Sequence, residues 1–498
     1  MKKLLRIVVL GLLVCNFGFT KDLKNPGDVM IDYEGISQNI SKCDPSCRKK
    51  IPIAKFPEYP QEFSKKWKKE NIIKEAGGYS NFKEHIYKTG HINIGLARAC
   101  LIGKKSYCHE LINGVENVVK NDLLRPTGWK KWPHPAKKVK NSDEVFLFEK
   151  YYAGSLLESY AIALKATGKK PVDGLEEWFY RRYEPYLRYY THQTGYHKDP
   201  KWKKFKGKKV PQNHLLEMSN MHLSLLSILN NAEKFEQELE IWDLYMTTMN
   251  KDGSFPLEAE RGAKSLSYQA KTIMGLFKTA HMAEIQGYDL WNKKLDKDWQ
   301  NLHHAITFLL NGFEDQSTVW KYAKKNQSAG NTKKYKEQDL RHFPTEISFY
   351  WYYKRKFPNH PNIKKFENLK FDTRTCKVPR KQRMSYCLSE DYIVTFKYIL
   401  KMDVGGSFGL GKGSTQKQND FMGHRCFYFS PNEYPNEYIE ASNVEYIALV
   451  KNKTDDSVII KVRAVSKELA IEEAMKKCTE KHEEGCYVHY SNQVGFGQ

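Results

Sequence analysis

The sequence lacks the features that most often settle the class of a protein at once. After the first residues, no stretch approaches about 18 consecutive apolar residues, which argues against a membrane-spanning helix further along the chain. There is no pair of CxxC motifs, so a structural zinc site is not expected. Acidic residues are in deficit: 58 Asp and Glu stand against 81 Lys and Arg, and the formal net charge is +23.

The remaining composition is that of a folded protein that meets polyanions. Of the 498 residues, 40% are hydrophobic and 28% charged, which argues against general disorder. At roughly 100–200 residues per domain, this length predicts two or three domains. Strong positive charge attracts nucleic acid, anionic lipid or acidic polysaccharide, and composition alone does not choose among the three.

The first twenty residues narrow that choice. Lys2, Lys3 and Arg6 precede or open an apolar run, 4–19, that is too short to span a bilayer comfortably. This pattern predicts a secretory signal peptide over 1–20 and a periplasmic or secreted protein without stable membrane insertion after cleavage. An exported basic protein rarely meets nucleic acid. We therefore expect an anionic polysaccharide as partner and no nucleic acid.

The cysteines agree with export, because most of them fall in close pairs. In an oxidising compartment such spacing predicts short disulfide loops, although spacing does not fix the connectivity. Besides Cys15, which lies within the predicted signal peptide, the pairs are Cys43/Cys47, Cys100/Cys108, Cys376/Cys387 and Cys478/Cys486, and Cys426 is left over.

The largest part of the chain has helical periodicity. Residues 21–74 are polar and Lys-rich and predict an extended segment lying on the domain surface. From 75 to 375, apolar residues recur at three-to-four spacing, which predicts one helical domain of antiparallel hairpins. The predicted helices are Ile92–Val118, Val145–Ala166, Leu215–Asn231, Phe235–Met249, Leu266–Ile285 and Leu302–Asn311.

The character of the chain changes after that domain. Residues 376–435 predict a connector with a flexible Gly-rich loop at 404–415, which nearly spells a phosphate-binding loop but has Gly413 where Ser or Thr is required. Residues 436–498 predict a small α+β domain of order β-β-α-β, pinned by Cys478 and Cys486.

Two segments carry candidate chemistry. The first contains Asn213-His214 at the start of a predicted helix, and the second runs from 252 to 269. If a helix begins at Arg261, then Arg261, Lys264 and Tyr268 form one stripe at i, i+3 and i+7. Two cations beside a phenol suit an acidic sugar, because they stabilise the ionised phenol and pair with carboxylates.

Each feature also has a purely structural interpretation. Asn213 is a common helix-capping residue, and a single His such as His214 is often a buried core residue. A stripe of charged residues is often a solvated helix face.

Taken together, the two segments resemble the alginate lyase family, which includes the poly(mannuronate) lyases. Asn213-His214 matches the last two residues of that family's Asn-Asn-His signature. The second segment is similar to the pattern Asp-Gly-x-x-Pro-x-Glu-x-x-Arg-x-x-Arg-x-Leu-x-Tyr-His. The matching residues are Asp252, Gly253, Pro256, Glu258, Arg261, Leu266 and Tyr268. The resemblance covers about 90–310.

The departures from the family pattern bear on substrate choice. Gln212 replaces the first Asn, Lys264 stands where Arg is common, and Gln269 replaces a His. The residues that match the family's reaction centre are thus kept while their neighbours differ, which leaves open which polyuronate is cleaved.

The resemblance implies a mainly α fold, an incomplete (α/α) toroid of antiparallel helical hairpins, joined here to the small C-terminal α+β domain. It implies β-elimination of a 1,4-linked polyuronate. Asn213 and Arg261, with His214 beside them, would neutralise the sugar carboxylate, and Tyr268 would act as base and acid with help from Lys264. His214 would be the base if the proton and leaving group lie on opposite faces of the ring.

The remaining expectations concern contacts and alternatives. Trp129, Trp132, Tyr151 and Tyr152 are candidate sugar-binding residues. The chemistry requires no metal and no organic cofactor. Alginate is the favoured polymer. The alternatives are a lyase for another uronate glycan such as glucuronan, and a secreted binder of anionic polysaccharide without activity.

Overall fold

The computed structural model describes the chain in separate ranges, of which the longest are 142–181 and 213–324. The described residues are 22–30, 32–42, 93, 95–97, 99–122, 142–181, 213–324, 335–336, 338, 349–369, 445–452, 459–464, 467–480 and 485–494.

Helices dominate the described part of the chain before residue 370, which confirms the mainly α class. They are α1 (Tyr33–Lys42), α2 (Lys105–Lys120), α3 (Ser142–Thr167), α4 (Asn213–Ile228), α5 (Ala232–Thr248), α6 (Pro256–Ala259), α7 (Ser265–Ile285), α8 (Leu302–Glu314), α9 (Ser317–Ala323), α10 (Tyr350–Lys356) and α11 (Pro361–Glu367). Their apolar faces share one buried core, which includes Leu111, Leu157, Leu216, Phe277 and Leu309.

Helices α4 and α7 lie side by side and run in the same direction. The amide of Asn220 in α4 donates to the carbonyl of Gly275 at 2.9 Å and accepts from the Thr279 hydroxyl at 2.7 Å. Near the other end, Ser224 faces Met282. Residue numbers therefore increase together along the two helices, and α5 and the turn after it return the chain between them.

A close approach between these helices explains a glycine in the middle of α7. A Cβ atom placed on Gly275 would lie 2.6 Å from Leu216 Cδ2, well inside van der Waals contact. Glycine costs about 1 kcal/mol relative to alanine within a helix. Here that cost is offset by the tight packing of the two helices.

Helix α3 shares the direction of α4 and α7, whereas α8 is antiparallel to α7. Lys278 of α7 pairs with Glu158 of α3 at 3.5 Å, and Lys165 at the end of α3 pairs with Asp28, which lies at the ends of α4 and α7. Leu266, at the start of α7, packs against Gly312 near the end of α8. Alternate helices that share one direction are what consecutive helical hairpins produce.

The predicted helix Ile92–Val118 is interrupted. Residues 102–104 form a turn in which Gly103 has a φ of +88°, a backbone conformation that side chains with a Cβ rarely adopt. The disulfide Cys100–Cys108 spans this turn. The turn was not predicted because apolar residues keep their helical spacing on both sides of it.

Of the segment 21–74 that was predicted to lie extended on the surface, the residues that the structure describes, 22–30 and 32–42, are folded. Residues 33–42 form α1, and the segment 22–30, termed here the N-terminal strap, crosses the ends of α4 and α7. Leu23, Val29 and Met30 of the strap are 2–3% exposed. The strap is therefore part of the folded domain.

The C-terminal described residues form a separate small unit. Strands β1 (Glu445–Asn452), β2 (Ile459–Ala464) and β3 (Cys486–Val494) make an antiparallel sheet of order β2-β1-β3, and helix α12 (Lys467–Thr479) connects β2 to β3. Its buried core is small and includes Val450, Ala474 and Cys478. The disulfide Cys478–Cys486 joins the end of α12 to the start of β3.

Several sequence predictions fall on residues outside those that the structure describes. These are the signal peptide at 1–20, the connector at 376–435 and Cys43, Cys47, Cys376, Cys387 and Cys426. Among the described helices, none is long and apolar enough to cross a membrane.

Candidate active site

The candidate site lies where α4 begins and where the chain turns into α7. Residues 250–255 form a turn, Pro256 opens the short helix α6, and Gly262–Lys264 form a single 3₁₀ turn. Helix α7 starts only at Ser265, so the predicted helical stripe starting at Arg261 is not one continuous helix. Proximity of Arg261 to Tyr268 instead comes from the fold of this turn.

Glu258 is the centre of the site. Its side chain is fully buried, with one carboxylate oxygen accepting the Asn213 backbone N–H at 2.7 Å and the other accepting Arg261 Nε–H at 3.0 Å. A single carboxylate thus joins the start of α4 to Arg261, which lies four residues before the start of α7. An acidic group at a helix N-terminus is also favoured by the helix dipole.

Glu258 brings the predicted residues together. Arg261 Nη2 lies 3.4 Å from Asn213 Oδ1, and its guanidinium carbon lies 4.2 Å from the centre of the Tyr268 ring. The Arg261 side chain is 17% exposed, so it reaches solvent from a largely buried position. Asn213, Arg261 and Tyr268 form one contiguous cluster.

Two opposing effects act on the Glu258 carboxyl group. Burial raises its pKa above the usual value, while Arg261, the Asn213 N–H and the charge of Lys271 act in the lowering direction. Removing an ion pair's partner from a buried site leaves an uncompensated charge, which is strongly destabilising. Glu258 and Arg261 therefore depend on each other.

The second cation at Tyr268 is Lys271 and not Lys264. Lys271 Nζ lies 4.7 Å from the ring centre, one helical turn after Tyr268. Lys264 is half-buried in the 3₁₀ turn, and no contact joins it to the Tyr268 ring within the described residues. Lys271 was not predicted from the sequence, although its i+3 spacing from Tyr268 was a usable signal.

The Tyr268 hydroxyl differs from those of the structural tyrosines. Tyr160 accepts a hydrogen bond from the Val172 N–H, and Tyr322 donates to Asp252 at 2.7 Å. Within the described part of the chain, the Tyr268 hydroxyl makes no hydrogen bond, and the side chain is half-buried. A partly accessible phenol with cations against its ring is suited to proton transfer.

Gln269, which departs from the family pattern, holds the turn in place. Its side chain accepts the Phe255 N–H at 2.9 Å and donates to the Gly253 carbonyl at 2.9 Å. An amide supplies one donor and one acceptor for this purpose. The substitution is therefore compatible with an intact turn.

Asp252 fixes the same turn from its outer side. Burial alone would raise the pKa of Asp252, but hydrogen bonds from Ser254, Tyr322 and Lys321 outweigh it and hold the pKa below the usual value. The Lys321 ammonium lies 3.0 Å from the carboxylate. Asp252 is committed to structure rather than available to a ligand.

The structure describes only part of the other predicted site residues. His214 is the second residue of α4, and Tyr151 and Tyr152 belong to α3, whose backbone alone is described there. Trp129 and Trp132 lie outside the described residues. Within the described ranges, no cluster of three His, Cys, Asp or Glu side chains is arranged to hold a metal ion.

Comparison with known proteins bears on the same residues. The family model Alginate lyase matches residues 156–319, a range that contains Asn213, Glu258, Arg261 and Tyr268. No curated protein matches the chain. The resemblance that the motifs indicated is thus confirmed over residues 156–319, where the chain matches the alginate lyase family model.

Solved structures of low sequence identity are similar as well. Alginate lyase A1-III from Sphingomonas species A1 is 17% identical, with a TM-score of 0.45 and coverage of 69% of this chain and 91% of that one. A variant of it complexed with tetrasaccharide is 18% identical, with a TM-score of 0.47 and coverage of 69% and 90%. An alginate lyase from Bacteroides ovatus is 13% identical, with a TM-score of 0.38 and coverage of 64% and 75%.

Proposed function

We propose that this protein is an exported lyase that cleaves a 1,4-linked polyuronate by β-elimination, with alginate, and polymannuronate in particular, as the favoured substrate. The observation that carries the proposal is the cluster of Asn213, Arg261 and Tyr268 around the buried Glu258. A binding surface alone needs cations, but it does not need a half-buried phenol whose hydroxyl makes no hydrogen bond to the described residues.

The first requirement of the reaction is to neutralise the sugar carboxylate. The proton on C5 is only weakly acidic while the adjacent carboxylate carries its full charge. Arg261 uses Nε on Glu258 and Nη2 toward Asn213, and a guanidinium has further N–H donors for a substrate oxygen. The Asn213 side-chain oxygen faces Arg261, which leaves its amide nitrogen as a donor to the same carboxylate.

The second requirement is proton transfer. The ionised Tyr268 hydroxyl removes the C5 proton, and the electron pair forms the C4–C5 double bond as the C4–O4 bond breaks. The same phenol then returns the proton to the departing O4, so Tyr268 ends in its starting state. If the proton and O4 lie on opposite faces of the sugar, His214 removes the proton and Tyr268 supplies the acid.

Export from the cytoplasm is the second part of this proposal. Residues 1–20 act as a signal peptide, and the mature protein is periplasmic or secreted, where two of its cysteine pairs form disulfides. Cell fractionation and determination of the mature N-terminus test this part separately. A cytoplasmic protein that retains Met1 would contradict it.

The test of activity is ultraviolet absorbance of residues 21–498 with polymannuronate, polyguluronate and glucuronan. Unsaturated uronate ends absorb, so we expect rising absorbance, fastest with polymannuronate, and loss of at least about 1000-fold in Tyr268→Phe. Tyr288→Phe is the matched control, because that hydroxyl donates to the exposed Glu236 and lies outside the candidate site. Activity on glucuronan alone would reassign the substrate, and binding without absorbance would indicate a non-catalytic binder.

A further inference from the structure

Helix α7 reaches solvent along a single line. From Ser265 to Ala283 its residues are buried except Tyr268, Lys271, Met274 and Lys278, which are half-buried. Their spacing of three, three and four places them on one face of the helix. The candidate catalytic tyrosine therefore opens a half-exposed stripe whose next member is a lysine.

That lysine contacts the tyrosine ring directly. Lys271 Nζ lies 4.7 Å from the ring centre, comparable to the 4.2 Å of the Arg261 guanidinium. A cation against an aromatic face is attracted by the ring quadrupole, by about 0.5–2 kcal/mol, and it restricts the ring orientation. The attraction increases when the ring becomes a phenolate, because the interaction is then between opposite charges.

Lys271 also supplies positive charge at a place where the charge of Arg261 is partly neutralised by Glu258. The Arg261 guanidinium bonds Glu258 at 3.0 Å, so its charge is shared with a buried carboxylate. A base that starts as a phenolate benefits from a second positive charge nearby.

We propose that Lys271 is a positioning residue for the reaction: it holds the Tyr268 ring and stabilises its phenolate form. The inference rests on the proposed function, and it assigns a role that Lys264 was expected to fill from the sequence. Lys271 acts through Tyr268 and not by contact with the reacting atoms.

The first test compares the kinetics of Lys271→Met and Lys271→Arg with the unmodified protein. We expect Lys271→Met to lower kcat by about 10-fold or more with little change in KM, because the Tyr268 ring loses one of its two cation contacts. Lys271→Arg, which keeps the positive charge, should restore most of kcat. Lys251→Met, which removes an exposed lysine from the neighbouring turn, controls for the loss of one positive charge.

Other outcomes overturn the inference. A higher KM with unchanged kcat would make Lys271 a substrate-binding group, and unchanged kinetics would leave it without a role. Lys271→Gln is a second uncharged variant, and its thermal unfolding separates a folding defect from a chemical one.

A second measurement needs no turnover. Fluorotyrosine placed at position 268 reports the environment and motion of that ring by fluorine NMR, in the presence of Lys271 or of Lys271→Met. We expect the resonance to change position in the variant and the ring to reorient faster, because one of its two cation contacts is lost. An unchanged spectrum refutes the role of Lys271, whereas an inactive unmodified protein whose spectrum does change in the variant refutes only the proposed function.

Discussion

The two ends of the parallel pair α4 and α7 are built from different chemistry. At the starting end, charged groups meet a half-buried phenol: Glu258, Arg261, Lys271 and Tyr268. At the finishing end, the N-terminal strap is tied down mainly by uncharged groups, with Gln286 at their centre.

The strap end is a network of amides and hydroxyls. Gln286 Nε2 donates to the carbonyls of Asn25 and Asp28 at 2.8 and 2.7 Å and to the Ser227 hydroxyl at 3.0 Å, while its oxygen accepts the Asn25 N–H. His281 and Asn230 add bonds to Met30 and Leu23. Neutral hydrogen bonds fix a segment without leaving reactive groups exposed, so this end supplies stability, whereas the other end holds the residues that we propose for the reaction.

The sharpest test of this division is Glu258→Gln. The amide keeps an acceptor for the Asn213 N–H but removes the charge that orients Arg261. We expect kcat/KM to fall by about 100- to 1000-fold, measured by initial absorbance rates, because a preorganised charged donor is lost. Glu236→Gln is the control carboxylate. Near-normal activity in Glu258→Gln would show that Arg261 needs no anchor.

Gln286→Met makes the converse change at the strap end. It removes the amide that bonds Asn25, Asp28 and Ser227 while keeping a similar volume. We expect a loss of about 2–3 kcal/mol in unfolding free energy, because several buried groups lose their partner. The kcat of the folded variant should be unchanged. A drop in kcat at full folding would show that the two ends are coupled.

Two aspartates, one at each end, predict opposite pH behaviour. Burial raises the pKa of Asp28 to about 6, against the favourable charge of Lys165. The native state then binds this proton more firmly than the unfolded state, so stability falls as pH rises from about 4 through 6. Asp252 has a lowered pKa, so its contribution is present at neutral pH and is lost only as pH falls through that lowered value.

Substitution separates these two aspartates. We expect Asp28→Asn to raise the unfolding free energy at pH 7 by about 2 kcal/mol and to change it little at pH 4. Asp252→Asn should lower it at pH 7 by about 1 kcal/mol. Denaturant unfolding at the two pH values measures both. Equal effects of the two substitutions on the unfolding free energy at pH 7 would contradict the raised pKa of Asp28 and the lowered pKa of Asp252.

The smallest expected effect is that of salt. Raising ionic strength from about 0.05 to 0.5 M should raise the KM for a polyuronate severalfold, because screening weakens attraction between the basic protein and its substrate. The strap end, held mainly by neutral groups, should show little change in unfolding free energy. A KM independent of salt would show that the net charge of +23 does not contribute to substrate binding.

Much of the architecture was predictable because it depends on short-range patterns. Apolar spacing identified the helices now seen as α4, α5, α7 and α8. Close spacing selected the cysteine pairs 100/108 and 478/486, and the structure shows that both pairs form disulfides. The break at Gly103 and the helix α1 were missed. A local turn inside a periodic segment and a helix inside a polar segment leave weak signals in apolar spacing.

The candidate site was predictable in its residue types and less so in its geometry. Asn213, Arg261 and Tyr268 were selected correctly as neighbours, but the continuous helix that was to join Arg261 to Tyr268 is absent. Glu258 matched the motif without receiving a role. Its contact with Asn213 spans 45 residues, and such a contact depends on how two helices pack.

The sequence by itself determined which helices form, that the protein is basic and rich in paired cysteines, and which polar residues belong to the motif, because these follow from composition and spacing within a few residues. The tertiary structure decided that Glu258 joins two distant segments, that Lys271 rather than Lys264 lies against Tyr268, and that the strap closes the far end of the helices. Those outcomes depend on interhelical packing and on the conformation of one turn before α7. Neither is encoded in any local repeat.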